Sequence, residues 1–177
     1  VFWILFVMGA IAAVVIALIA GGLATPRDHA VARTIVLRHD RDTVWSTVRN
    51  FDAYAEWRDE LEHAEVVDTD QAQVRWRETS TRGSVTFGVT GEQAPERLSA
   101  RILDDDLPFT GEWTWTLVVD DAGTRVTITE RGSVPNPAFR FIAAHFMGYT
   151  KSLDRYLRGL AQRLGQPGIT IDDATPA

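Results

Sequence analysis

No charged side chain precedes Arg27, and from Phe2 to Leu23 the apolar positions run without a break. A helix over this stretch, at 1.5 Å per residue, reaches about 33 Å and matches the roughly 30 Å hydrocarbon core of a bilayer. A helix apolar on every side has no face suited to water, which separates it from the amphipathic helix of an ordinary core. Residues 1–24 are therefore expected to form a transmembrane helix, with residues 2–23 in contact with the lipid bilayer. The competing reading is a cleaved secretory signal, because Gly22-Leu23-Ala24 places small residues where a signal peptidase reads. Against it, signal peptides carry a shorter apolar region of roughly 7–15 residues behind a basic segment, and no basic segment is present here. Arg27, Arg33, Arg38 and Arg41 follow the span and favour a cytoplasmic domain. The chain opens on Val1 rather than Met, so further upstream residues are expected, and basic ones among them would reverse that bias. The expected location is a membrane, the cell membrane in the first instance, crossed once, with the side of the domain open.

Beyond a linker at residues 25–30 the pattern changes twice. Val31 to Arg38, with Ile35, Val36 and Leu37, reads as a strand. Asp40 suits a helix N-cap, Asp42 meets the positive end of the helix dipole, and Val44, Trp45 and Val48 mark one helical face. A second short turn carries Phe51, Tyr54 and Trp57. From Glu62 to Val134 the period is two, punctuated by turn signals such as Asp68-Thr69-Asp70, Arg82-Gly83 and Asp120-Asp121-Ala122-Gly123. Strands are expected at about residues 62–68, 72–80, 84–92, 97–104, 110–120 and 124–133, seven in all with the first. Val74 and Trp76 share a face, as do Trp113, Trp115, Leu117 and Val119, and Val126 and Ile128, so one side of the sheet is broad and apolar.

After Pro135-Asn136-Pro137 the period becomes helical and holds to Leu164, where Gly165, Pro167 and Gly168 end it. Phe139, Ile142, Phe146, Tyr149, Leu153, Tyr156, Leu157, Leu160 and Leu164 form one stripe, which predicts a single long helix lying on the apolar sheet face. Residues 166–177 read as a loose tail. The stretch after the linker is the size of one domain. The net charge of −6 argues against a general nucleic-acid or anionic-lipid surface, and the absence of cysteine excludes disulfides and thiolate metal sites.

Two carboxylates stand out. Glu78 follows Val74 and Trp76 at period two, and Glu130 follows Val126 and Ile128, so both point to the apolar side, where an unpaired charge is costly. They are candidates for polar handles or acid/base groups, against the plainer alternative of reaching solvent or pairing with Arg75 or Arg131. His145 sits at the edge of the helical stripe and is a third acid/base candidate, against half-buried packing. Tyr149 and Tyr156 offer phenols, although tyrosines on such a stripe are usually core with a wet tip. His29, His39, His63 and His145 lack the spacing of a zinc site, so no metal is expected. No phosphate-cradling glycine loop or nucleophile elbow is present, and Gly88, Gly91 and Gly111 read as strand bends.

The segments Ile35-Val36-Leu37, Asp40, Val44-Trp45 and Asn50-Phe51-Asp52-Ala53-Tyr54-Ala55-Glu56-Trp57 resemble the opening of the START-like (SRPBCC) superfamily, which includes polyketide cyclase/dehydrase and lipid-transport proteins. Thr124-Arg125-Val126-Thr127-Ile128-Thr129-Glu130-Arg131-Gly132, followed by Pro137, Phe139 and Phe141, is similar to its last strand and gripping helix. Over residues 31–165 the resemblance implies an α+β helix-grip fold: a seven-stranded curved antiparallel sheet wrapped on a long C-terminal helix, with two short helices after strand 1. It further implies a cavity for a hydrophobic small molecule, lipid or polyketide-like, and no cofactor. Residues expected to line it are Trp76, Glu78, Trp113, Trp115, Ile128, Glu130, Ile142, His145, Phe146 and Tyr149. Three functions follow: a membrane-anchored binding or transfer module, an enzyme of cyclase/aromatase type using Glu78, Glu130 or His145, and a non-enzymatic partner of another membrane protein through the stripe Gly9, Ala13, Ala17 and Gly21.

Overall fold

In the computed structural model, which describes residues 2–68 and 73–176, the uninterrupted apolar run is a single helix, α1 (Phe2–Ala24). Only Leu18, Gly21 and Gly22, one stripe near its C-terminal end, are covered; every other α1 side chain is exposed. Thr25 and Pro26 turn the chain, and β1 (Asp28–Leu37) begins at once, so the linker is shorter than the hydropathy suggested. Asp40 caps α2 (Arg41–Arg49), accepting from the Thr43 amide at 2.8 Å and the Thr43 hydroxyl at 2.6 Å. A 3-10 turn over Phe51–Glu56 follows.

The period-two region forms β2 (His63–Asp68), β3 (Arg75–Ser80), β4 (Gly83–Gln93), β5 (Arg97–Ile102), β6 (Thr110–Asp120) and β7 (Gly123–Ser133). These pair antiparallel as a meander that closes back on β1. Thr69 and Asp70 of the turn expected between β2 and β3 lie outside the described residues. Register shifts between Val66 and Asp68 and between Val89 and Gly91 bend the sheet. An eighth strand, β8 (Asp172–Ala174), pairs with β1 at Ala32–Ala174 and Thr34–Asp172. The C-terminal segment is thus held here rather than loose, and the sheet has eight strands in the order β2-β3-β4-β5-β6-β7-β1-β8. Three residues without alternation carry too little pattern to announce a strand. What fixes them is Arg33 of β1, which pairs with Asp173 and, at 3.0 Å, with Asp154.

The long helix expected from Phe139 to Leu164 is broken. Asn136 caps a short helix, α3 (Pro137–Ile142), which runs into a wide turn at Ala143–Met147. Gly148 stands at φ 72°, ψ 122°, a conformation that no L side chain adopts comfortably, and α4 (Lys151–Arg163) restarts beyond it. The apolar stripe is real, but its two halves serve different surfaces. Leu153, Tyr156, Leu157, Leu160 and Ala161 of α4 are buried on the sheet, with Leu37, Val44, Leu98, Leu117 and Val126 fully buried in the same core. Phe139 of α3 instead stacks on Phe109, with centroids 6.3 Å apart, and Phe141 lies against Gly21 of α1.

Candidate ligand chamber

Where α4 gives way to Gly148, the space between sheet and helix is not filled by side chains. An inner chamber of about 210 Å³ is lined by Trp76, Phe87, Trp113, Trp115, Ile128 and Tyr156. It shares Phe109, Trp113 and Ser152 with an outer chamber of about 600 Å³ that extends past Glu130 and Tyr149 to Phe139 and Phe146. The alternation of three strands builds these walls. Trp76 and Glu78 project from β3, Trp113 and Trp115 from β6, and Ile128 and Glu130 from β7, with Trp113 opposite Glu130 and Trp115 opposite Ile128 in register. Aromatic rings run along the chamber as a belt. Phe51 stacks on Trp76 at 3.9 Å, Trp76 on Phe87 at 5.1 Å, and Phe87 meets Trp113 edge-on at 5.4 Å. A wider, open depression of about 840 Å³ lies over Arg101, Glu112 and Arg131. It is a charged sheet surface without aromatic walls, and the chamber is the better ligand site.

Glu78 is buried at the inner end. Its Oε1 accepts from the Arg58 guanidinium at 2.7 Å and from the Trp76 indole at 3.0 Å. Arg58 also chelates Oε1 of Glu60 through two nitrogens, at 2.9 and 2.8 Å, and its cation lies 5.3 and 5.2 Å from the rings of Tyr54 and Tyr156. Burial alone would lower the Arg58 pKa, but Glu78 and Glu60 more than offset that and raise it above its ordinary value. Glu60 pays the same burial penalty in the opposite direction, yet the Arg58 charge holds its carboxyl below the usual carboxylate range. The two buried tyrosines contact each other, Oη to Oη at 3.1 Å, and Tyr54 donates to the Val48 carbonyl at 2.6 Å. Burial pushes both phenols upward.

Glu130 marks the passage between the chambers. One oxygen accepts from the Trp113 indole and the Ser152 hydroxyl, each at 3.1 Å, and the other lies 3.4 Å from Nε2 of His29. His29 in turn stacks on Tyr149, centroids 3.7 Å apart. The Tyr149 hydroxyl is buried with no hydrogen-bond partner among the described residues. Two glycines make this arrangement possible. A Cβ on Gly111 would sit 2.6 Å from the Trp113 ring, and one on Gly132 would overlap the His29 imidazole. Gly111 is therefore a seat for a cavity-lining ring rather than a bend.

Of the residues expected to line the cavity, Trp76, Glu78, Trp113, Trp115, Ile128, Glu130, Phe146 and Tyr149 do so. Ile142 and His145 do not. Both are exposed, Ile142 at the end of α3 and His145 in the turn after it, and His145 stacks on Phe141 at 4.3 Å with its Nδ1 3.0 Å from the Phe141 carbonyl. Arg58 and His29, the partners of the two carboxylates, were not anticipated. The arginines considered from sequence, Arg75 and Arg131, lie an odd number of residues from Glu78 and Glu130 in the same strands. Period two sends them to the opposite face, a sign that was available in the pattern. Among the described residues no group of His, Asp and Glu is placed to hold a metal ion.

A curved antiparallel sheet closed over a helix, around an aromatic chamber with the Arg58–Glu78 ion pair at its inner end, defines a cavity-bearing α+β domain of the helix-grip type. The chain belongs to the polyketide cyclase / dehydrase and lipid transport family, whose model matches residues 28–165. Solved structures share the fold. A START superfamily protein from Mycobacterium smegmatis is 19% identical, with a TM-score of 0.59 over 78% of this chain and 98% of its own. A STAR-related lipid transfer protein from Xanthomonas axonopodis is 20% identical, with a TM-score of 0.56 over 76% and 85%. The ZhuI aromatase/cyclase from Streptomyces is 16% identical, with a TM-score of 0.59 over 77% and 96%. No curated protein matches the chain in sequence.

Proposed function

We propose that the chain is a membrane-anchored module that binds or transfers a hydrophobic small molecule, lipid or polyketide-like, held between the sheet and α4. The observation that carries this reading is the inner chamber. Its walls are Trp, Phe, Ile and Tyr, and the one ion pair in it, Arg58–Glu78, is already neutralised within the protein. An apolar ligand would replace whatever occupies that space without breaking a polar contact. A structural neighbour whose name records lipid transfer supports the same class of ligand. The apolar α1 supports the anchor, and a site held beside a bilayer meets lipophilic molecules at raised local concentration.

The test is to purify the full chain in mild detergent, extract it with organic solvent and identify small molecules by mass spectrometry. A retained apolar molecule in constant ratio to protein is the expected result. Protein that carries none, and binds none from a lipid extract, would defeat the reading.

A cyclase-type enzyme is a second reading, favoured by one observation. Glu130 sits at the passage between chambers, beside His29, Ser152 and the unpartnered Tyr149 hydroxyl, where a proton could be exchanged with a bound molecule. Glu78 is engaged by Arg58 and Trp76, and His145 lies outside the chamber, so the candidates narrow to Glu130. Glu130→Gln that keeps the ligand but stops its conversion would favour this reading over simple binding.

A further inference from the structure

The joint between α1 and the domain is built rather than loose. Gly22 is buried, and a Cβ there would collide with the Pro137 carbonyl; one on Gly21 would sit 2.6 Å from the Phe141 ring. Arg140, itself buried, donates to the Val134 carbonyl at 2.9 Å, the Pro135 carbonyl at 2.8 Å and the Thr25 carbonyl at 3.0 Å. One guanidinium therefore clasps the end of β7, the start of α3 and the first residue after α1. The Thr25 hydroxyl returns to the Gly21 carbonyl at 2.9 Å, and the Val134 amide donates to Arg27 at 3.0 Å. Every segment between anchor and sheet is pinned.

We infer from this joint that α1 orients the domain so that the mouth of the outer chamber enters the bilayer at the boundary of acyl chains and headgroups, with α3 and the turn after it as the embedded surface. This rests on the reading of α1 as a membrane span. Phe141 packs on Gly21, which lies three residues inside the end of α1, or about 5 Å at 1.5 Å per residue. Because α1 is about as long as the hydrocarbon core is thick, that level is the core's edge. Beyond Phe141 two apolar side chains are uncovered, Ile142 at 37% and Phe146 at 68%, and the exposed His145 imidazole stacked on Phe141 is a polar group suited to the headgroup level. Phe146, 6.2 Å from the Phe141 ring, also lines the outer chamber, so the residue at the bilayer's edge is a residue of the mouth. Water would meet this apolar patch at a cost; acyl chains would not. Ligand would then pass between membrane and chamber without crossing water.

The chain has no cysteine, so single cysteines can report depth. Phe146→Cys, Val15→Cys in the middle of α1 and Val119→Cys at the far end of the sheet, each in the full chain, would carry a nitroxide label in phosphatidylcholine/phosphatidylglycerol vesicles. Collision with oxygen, which concentrates in lipid, is compared with collision with a water-soluble nickel chelate. The expected result is an oxygen-to-nickel ratio severalfold higher at positions 146 and 15 than at 119. A lipid signal at 15 with an aqueous one at 146 would overturn the orientation while leaving the anchor intact. An aqueous signal at 15 would overturn both. In the background Gly22→Val, position 146 should turn aqueous while 15 stays in lipid. If 146 keeps its lipid signal there, the joint does not set the orientation and the inference fails.

Discussion

Arg58 serves two carboxylates at a mostly buried site, and its removal would leave the buried Glu78 without its counter-charge and Glu60 without its main one. Losing one partner of a buried pair costs about 3–5 kcal/mol, so Arg58→Met should lower unfolding stability by about that much in a urea titration. Adding Glu78→Gln should restore part of it, because the second change removes a stranded charge. The pH dependence has a defined sign. Arg58 depresses the Glu60 carboxyl below its ordinary value of 4.5, so this contribution is complete above 4.5 and is lost as pH falls below it. All three tyrosines, Tyr54, Tyr149 and Tyr156, are shifted the other way, with burial the main cause in each. Their neutral forms are favoured in the fold, so stability from this source is complete below pH 10.0 and declines above it. A spectrophotometric titration should show less phenolate at pH 10 in the native protein than in urea, where about half of the phenols are ionised at that pH. At this scale the sequence disclosed which carboxylates face inward, since alternation decides it. It did not disclose Arg58 or His29, whose places depend on how a 3-10 turn and the start of β1 fold over strands distant in sequence.

Elements were legible where their period was long and uninterrupted. α1, α2 and strands β1 to β7 follow the hydropathy closely, and Asp40 caps α2 as its residue type suggests. The break in the C-terminal helix is hidden in the sequence because helical spacing persists across Gly148, and an apolar stripe does not say whether one surface or two receive it. Backbone conformation decides. Any L residue at φ 72°, ψ 122° is strained by about 1–3 kcal/mol, so Gly148→Ala should destabilise the domain by that order in thermal or urea unfolding. Gly165→Ala, at φ 71° but beyond the end of α4, should leave ligand occupancy unchanged, whereas Gly148→Ala, at the chamber wall, should alter it.

At the scale of the whole molecule the domain holds a chamber of modest volume, and filling that volume separates binding from folding. Val85 of β4 lines the inner chamber from a half-buried position opposite Glu78. Val85→Trp should abolish co-purification of an apolar ligand while the far-ultraviolet circular dichroism and cooperative unfolding persist. If ligand is retained in full, it lies elsewhere.

The two borders of the sheet carry one further meaning. If α1 spans a membrane as proposed, neighbouring copies would share a plane and meet often, and a bare strand edge there would template pairing from one copy to the next. Among the described residues both borders are partly covered. On one side β8 covers β1 and turns Asp172 and Asp173 outward; on the other, the Val66 amide of β2 is taken up by the Asp52 carboxylate at 2.7 Å beside a bulge. Three residues of a C-terminal segment and one aspartate would thus act as terminators, hindering edge-to-edge pairing between copies.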